Sequence, residues 1–196
     1  MKRLILIRAG RTDWVDQERL AGDMDLPINE VGRKEASLAA DAIRAMSPRT
    51  IYCGTDGPAS QTAEQIAASL GLKFKALDSL REMDLGLWEG LTEDQFRERF
   101  SRVHKAWHDD PSSVEPPNGE SLPLVEARLE QAFFSLLKKR ATSPIVIVLG
   151  RLAYSAVRCR FHDRLYEQFW EYVDEPVGPC LLDATPQVIR PAHAAS

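Results

Sequence analysis

Cysteine and histidine are scarce in this sequence, and long apolar runs are absent from it. The 196 residues include three cysteines and four histidines. Because the cysteines are odd in number and show no Cys-x-x-Cys spacing, the sequence indicates neither a disulfide framework nor a cysteine-based zinc site. No apolar run approaches the roughly 20 residues that cross a bilayer, and the N-terminal stretch KRLILI is too short for a signal peptide. We therefore predict a cytoplasmic protein without a membrane partner.

A surplus of positive charge is also absent. The formal net charge is -4 and the isoelectric point is near 5.6, which argues against nucleic acid as the main partner. Hydrophobic residues make up 44% of the chain, enough for a full-sized core in one globular domain that spans residues 1–196.

Two of the four histidines have a spacing that matters. His104 and His108 are four residues apart, so they would share one face of a helix, where they can hold a metal ion. A histidine pair without a third ligand in view is more often a pair of solvated surface side chains. We therefore expect no metal and no organic cofactor, with a metal on this pair as the open alternative.

Four segments show the patterns of β-strands. Leu4–Ile7 and Pro144–Gly150 are continuous runs of mostly apolar residues, which are typical of strands buried on both faces. Thr50–Cys53 is a shorter run of the same kind, and Lys73–Leu77 alternates as a half-exposed edge strand would.

Helical patterns separate these strands. Asn29 can cap a helix, the second helix runs from Pro58 to Gly71, a capping box at Thr92 opens the third, and the longest starts at Leu122. The inner face predicted for the first of these helices carries Val31, Leu38, Ala39, Ala42, Ile43 and Met46. The alternation of strands and helices predicts an α/β fold with a mostly parallel sheet covered on both faces.

Two regions stand apart from this pattern. Residues from about 92 to 121 include the polar, proline-rich stretch HDDPSSVEPPNGES, which we interpret as part of an insertion or lid within the domain. Residues from about 160 to 196 form an aromatic-rich tail. The tail either covers a sheet edge or contributes to a homodimer surface.

In parallel sheets, ligands bind at the carboxyl ends of the strands, so the residues there matter most. Several motifs at those ends resemble the histidine phosphatase superfamily, the group with the phosphoglycerate mutase-like fold. The family's strand end Arg-His-Gly reads Arg8-Ala9-Gly10 here, and its D-x-P-L-T-x-x-G element matches DLPINEVG at 25–32. The element S-S-x-x-x-R-A-x-Q-T-A aligns with residues 53–63, L-R-E-x-x-x-G-x-W-E-G with 80–90, and V-x-H-G with 147–150.

This resemblance covers residues 1 to about 158 and implies a three-layer α/β/α sandwich. It also implies a phosphate pocket of two arginines, two histidines and one acid, which this sequence does not complete. The position of the nucleophilic histidine holds Ala9, that of the second histidine holds Leu149, and that of a phosphate-clamping arginine holds Pro58. Arg8 and Glu82 remain.

A methyl group at position 9 carries no lone pair, which closes the phosphohistidine route that the resemblance implies. Losing one charge-stabilising donor typically lowers the rate by about 10²–10³. We therefore predict a non-catalytic family member, a pseudophosphatase, that binds an anionic small molecule or a protein partner. The candidate ligand-binding residues are Arg8, Arg11, Glu82 and Arg151, all placed at strand ends or in the matched motifs.

Several alternatives stay open at this point. Arg11 and Arg151 can be ordinary solvated arginines, and Glu82 can be held by Arg8 in a structural ion pair. The old pocket can host new chemistry, with Glu82 as acid or base together with Asp84 and Arg8, and with Cys53 as the best spare nucleophile or Asp56 as a further participant. A phosphatase or mutase inactivated by mutagenesis explains Ala9, but it does not explain Leu149 and Pro58 as well.

Overall fold

A five-stranded sheet forms the centre of the fold. In the computed structural model, which describes residues 2–138, 144–162 and 166–184, the strands are β1 (Lys2–Arg8), β2 (Thr50–Cys53), β3 (Phe74–Ala76), β4 (Ile145–Leu149) and β5 (Pro179–Ala184). Their order is β3-β2-β4-β1-β5. Four strands run parallel, and β5 pairs antiparallel with β1, with Leu6 opposite Cys180. The prediction of an α/β fold with a mostly parallel sheet is confirmed.

Eight helices surround the sheet in the described part of the chain, and short 3₁₀ turns join several of them. They are α1 (Asp13–Asp16), α2 (Glu30–Arg44), α3 (Gly57–Leu70), α4 (Glu93–Arg99), α5 (Ser101–Asp109), α6 (Leu122–Lys138), α7 (Arg151–Val157) and α8 (Phe169–Asp174). The predicted caps are present. Asn29 accepts a hydrogen bond from the Gly32 N–H, and Thr92 with Gln95 forms a capping box.

The two faces of the sheet are buried in separate apolar clusters. Leu4 and Leu6 of β1 point into a cluster with α6 and α7, whereas Ile5 and Ile7 point into a cluster with α2 and α3. This alternation follows from the two-residue period of a strand and explains why β1 and β4 are apolar throughout. The result is the three-layer α/β/α arrangement.

The inner face of α2 differs from the prediction. The buried residues are Gly32, Ala36, Ala39, Ala40 and Ile43. Val31 and Leu38, which the sequence pattern placed inside, are 48% and 67% exposed. The small side chains of α2 lie in the same cluster as the alanines of α3, and small residues on both helices allow a close approach that large side chains would prevent.

The tail covers one edge of the sheet, which was the first of the two alternatives predicted for it. Its strand β5 extends the sheet beyond β1. Residues 185–196 lie outside the described residues, and a role of the tail in a homodimer stays a prediction. The region 92–121 contains α4 and α5, and its function as a lid also stays a prediction. Within the described residues, no helix has both the length and the apolar character needed to cross a membrane.

Gly32 lies where the start of α2 meets the chain that leaves β1. A Cβ atom at Gly32 would lie 2.3 Å from the Arg11 carbonyl oxygen and 2.7 Å from the Arg11 nitrogen. We expect Gly32→Ala to lower the free energy of unfolding by about 2 kcal/mol, because backbone atoms must move to relieve the contact. Urea unfolding followed by circular dichroism measures the change.

The matched control is Gly71→Ala. Gly71 ends α3 with a φ of +68°, and a Cβ atom there meets no described atom within 4 Å. Only the left-handed backbone penalty remains, so we expect a loss of about 1 kcal/mol. Equal losses at the two positions would contradict the steric argument for Gly32.

Candidate functional site

A cavity of about 550 Å³ opens at the carboxyl ends of β1 and β4. The end of β1 contributes Arg8 to Thr12, and the chain after β4 contributes Gly150 to Leu152. The start of α3 adds Asp56 and Pro58. The cavity therefore lies where a parallel sheet is expected to bind its ligand.

Arg8 is a buried cation in the cavity wall. Its side chain extends from the last residue of β1, and the residue is 4% exposed. Its Nε donates a hydrogen bond of 2.8 Å to the backbone oxygen of Glu175. Burial, and next the charge of Arg151, lower the pKa of Arg8 to about 10, so it stays protonated at neutral pH. No carboxylate of the described residues lies within ion-pair distance of it.

The backbone after Arg8 is fixed by the neighbouring elements. The Ala9 N–H donates to the Leu149 oxygen at 2.7 Å, and the Gly10 N–H donates to Thr62 Oγ1 at 2.9 Å. Ala9 and Pro58 line the cavity as the sequence indicates. Leu149 is fully buried in the apolar cluster that includes Leu4 and Leu6, and it is not among the cavity-lining residues.

Glu82 is bound to the start of α7 and does not form an ion pair with Arg8. Its carboxylate accepts hydrogen bonds from the N–H groups of Met83 at 2.6 Å, Leu152 at 2.7 Å and Ala153 at 2.8 Å. The alternative of an Arg8–Glu82 ion pair is therefore wrong. Burial, and next the neighbouring Asp56, raise the pKa of Glu82 to about 7.

Asp56 is the second buried acid of the cavity. It caps α3, since its Oδ1 accepts a hydrogen bond from the Ala59 N–H at 2.9 Å. Its Oδ2 accepts one from the Glu82 N–H at 3.2 Å, which couples the two acids through the backbone. Burial raises the pKa of Asp56 above its ordinary value.

Only some of the side chains suggested for new chemistry lie at the cavity. Cys53 is fully buried in β2, and burial raises the pKa of its thiol to about 12. Neither Cys53 nor Asp84 is among the residues that line the cavity, and Asp84 Oδ1 accepts a hydrogen bond from the Gly86 N–H. Of the acid and thiol side chains suggested to act with Glu82, Asp56 alone lies beside it in the cavity wall.

The two other candidate cations lie at the cavity with acidic partners. Arg11 forms an ion pair with Asp16 at 2.7 Å, and Arg151 forms one with Asp174. Both arginines line the cavity, as the sequence predicted, but their charges are already compensated. Arg8 is thus the buried cation of the cavity that has no acidic partner among the described residues.

Sequence reasoning missed the contribution of the tail and of the helical insertion. Trp170, Val173 and Asp174 of the tail line the cavity, and so do Glu93 at the start of α4 and His108 of α5. The aromatic-rich composition of the tail was the available signal, but it could not place the tail over the strand ends.

Comparison with known proteins agrees with this fold. The family model described as "Histidine phosphatase superfamily (branch 1)" matches residues 4–190. The chain belongs to the histidine phosphatase superfamily. A curated relative, phosphoserine phosphatase 1 of Hydrogenobacter thermophilus, is 27% identical over 172 residues, which cover 88% of this chain and 82% of the relative.

Solved structures show the same architecture for this histidine phosphatase superfamily member. YhfR of Bacillus stearothermophilus superposes with a TM-score of 0.84 at 26% identity, covering 94% of this chain and 92% of YhfR. The mycobacterial glucosyl-3-phosphoglycerate phosphatase Rv2419c, solved with VO₃, superposes with a TM-score of 0.78 at 27% identity, covering 86% of each chain. The phosphoglycerate mutase-like fold is thereby confirmed.

Proposed function

We propose that this protein binds a phosphate-type anion in the cavity and does not transfer its phosphoryl group. The observation that carries the proposal is the buried Arg8 guanidinium, which has a single hydrogen bond to a carbonyl oxygen and no carboxylate partner among the described residues. The carboxylates of Glu35 and Asp174 act on Arg8 only from beyond ion-pair distance. A buried guanidinium without a directly paired carboxylate is costly, so an anion that enters the cavity supplies the charge-assisted hydrogen bonds that Arg8 lacks.

The two buried acids of the cavity are arranged so that they oppose an anion only weakly. Both carboxylates accept hydrogen bonds from backbone N–H groups, which offset their charge. Burial raises the pKa of Glu82 to about 7, so part of its charge is neutralised near neutral pH, and burial also raises the pKa of Asp56. VO₃, an oxyanion of the same chemical class as phosphate, occupies the structure of the mycobacterial relative and supports the choice of ligand class.

The absence of phosphoryl transfer follows from the residues at the catalytic positions of the family. Ala9 offers a methyl group where the resemblance implies a nucleophilic histidine, and Pro58 offers neither a charge nor an N–H. Leu149 keeps the place of the second histidine apolar and buried. Glu82 is engaged with the start of α7. Phosphate binding does not require these catalytic groups, because it needs only the Arg8 guanidinium and the volume of the cavity.

Inorganic phosphate is the probe that tests the binding site. We expect the wild-type protein to bind phosphate in isothermal titration calorimetry at fixed ionic strength. Arg8→Met keeps a long side chain and removes the charge. We expect its phosphate affinity to be about 10–100-fold lower, because that is the change in affinity when one hydrogen bond to a charged group is lost. Thermal unfolding of both proteins, with and without phosphate, checks that the variant is folded.

Arg11→Met provides the matched control, because Arg11 also lines the cavity but pairs with Asp16. A partly exposed ion pair contributes little, so its loss should change phosphate affinity by less than about fivefold. Equal affinities of Arg8→Met and the wild type would refute the proposal. Absence of phosphate binding by the wild type would do so as well, and it would favour a protein partner.

A further inference from the structure

The helical insertion contains a cluster of three side chains that the phosphate site does not use. Glu93 is the first residue of α4, and His104 and His108 lie on successive turns of α5. The Nε2 atom of His104 is 2.5 Å from Glu93 Oε1, and the Nε2 atom of His108 is 2.6 Å from the same oxygen. The three ligand atoms lie within 4.8 Å of one another.

We propose that Glu93, His104 and His108 bind one divalent transition metal ion of the zinc type. Two imidazole nitrogens and one carboxylate oxygen form a ligand set that zinc prefers, and imidazole disfavours magnesium or calcium. Ligands about 2.1 Å from a tetrahedral zinc ion are about 3.4 Å apart. Entry of the ion therefore requires the nitrogens to move away from the carboxylate oxygen by less than about 1 Å, which side-chain rotation supplies.

The neighbouring aromatic residues hold both imidazole rings in place. Phe96 packs edge-on against the His104 ring, with 5.5 Å between ring centroids. Trp170 lies 4.8 Å from the His108 ring, and its Nε1 donates a hydrogen bond of 3.1 Å to the His108 oxygen. On its inner side α5 is anchored by the buried Trp107. The two histidines are thus positioned before any ion arrives, which lowers the cost of binding.

The cluster is accessible from solvent and borders the cavity. The side chains of Glu93 and His108 are 32% and 38% exposed, and both residues line the cavity. Three protein ligands leave a fourth position of a tetrahedral ion for water or an anion. The site is separate from Arg8, so it does not depend on the proposed phosphate binding.

Zinc binding to the full chain tests this assignment. After dialysis against a chelator and its removal, we expect ZnCl₂ titration to show one ion per chain, with the same stoichiometry by elemental analysis. His108→Ala removes one of three ligands and should weaken binding more than 100-fold, since losing a group that only hydrogen-bonds to a ligand already costs about 10–100-fold. Because the three cysteines are buried, they offer no competing site on the folded surface.

A matched pair of amide substitutions completes the experiment. Glu93→Gln removes a ligand carboxylate, whereas Asp94→Asn removes the neighbouring exposed carboxylate, which pairs with Arg97 at 2.5 Å. We expect zinc affinity to fall in Glu93→Gln and to stay within threefold of wild type in Asp94→Asn. Stoichiometric zinc binding that His108→Ala and Glu93→Gln leave unchanged would overturn the proposal. No zinc binding by the wild type would overturn it equally, and the cluster would then be a hydrogen-bonded contact between α4 and α5.

Discussion

Purified wild-type protein is expected to hydrolyse phosphomonoesters at least about 10⁴-fold more slowly than an active family member, in kcat/KM. Loss of one donor that stabilises transferring charge costs about 10²–10³ in rate. Here Ala9, Pro58 and Leu149 stand at three positions that the sequence resemblance implies to be catalytic. The losses do not add, because such groups act as a unit, and the nucleophile alone accounts for most of the rate.

A single back-substitution should not restore turnover. Ala9→His places an imidazole at the cavity wall, but Pro58 supplies no phosphate clamp and Leu149 is fully buried in apolar surroundings. We expect Ala9→His to remain without measurable turnover on the same panel of phosphomonoesters. This result would show that a nucleophile alone is not enough for turnover. The cationic groups that the resemblance implies at positions 58 and 149 would be needed as well.

The assay needs a control for contaminating phosphatases. Glu82→Gln, purified in parallel, removes the one acid that the resemblance places in the family's catalytic set. Activity that is equal in wild type and Glu82→Gln comes from a contaminant. Turnover at ordinary enzyme rates that Glu82→Gln abolishes would mean that the protein is an enzyme and would contradict the proposal of binding without transfer.

Elements with strong local signals could be predicted from the sequence. The apolar runs of β1 and β4 specify strands buried on both faces, and their lengths agree with the structure within a few residues. The caps at Asn29 and Thr92 and the stop at Gly71 depend on neighbouring residues only. Because each of these features is determined by residues close together in the sequence, a sequence pattern is enough to predict it.

The inner face of α2 shows where local patterns fail. The pattern of large apolar residues predicts that Val31 and Leu38 lie on the inner face, but both are exposed. The pattern fails because it contains no information about the partner helix. The actual face is made of glycine, alanine and Ile43, and it packs in the same cluster as the alanines of α3. The buried positions 32, 36, 39, 40 and 43 do follow helical spacing, but glycine and alanine give a weak hydrophobic signal, so the pattern alone does not distinguish this face from the one that carries Val31 and Leu38.

The site depends both on local sequence signals and on contacts between distant parts of the chain. Motif spacing placed Arg8, Ala9, Pro58 and Glu82 at the cavity, since each follows or precedes an element with a clear pattern. The contact of Arg8 with Glu175 joins residues 167 positions apart and uses a backbone oxygen. Such contacts carry no residue-type signature, so the sequence could not show that Arg8 lacks a carboxylate.

The stability of the protein is expected to depend on pH through Glu82. The pKa of Glu82 is raised from 4.5 to about 7 in the folded state, mainly by burial. Between these two values the folded state holds a proton that the unfolded state has lost, so the free energy of unfolding falls as pH rises. The decrease from this residue amounts to at most about 3 kcal/mol and is complete above pH 7.

Glu82→Gln removes this dependence, because an amide does not titrate; its Nε2 cannot accept the Leu152 N–H, and that loss of stability does not change with pH. Relative to wild type, we expect the variant to gain up to about 3 kcal/mol between pH 4.5 and 7, measured by urea unfolding at half-unit steps. Asp78→Asn is the control, since the Asp78 side chain is 79% exposed and its substitution should leave the pH profile unchanged.

Glu82→Ala removes the acceptor of three N–H groups, and we expect this variant to lose about 3–5 kcal/mol of unfolding free energy at pH 5. Parallel profiles of wild type and Glu82→Gln would mean that Glu82 is ionised throughout, and that its carboxylate is stabilised by the start of α7 more than burial destabilises it.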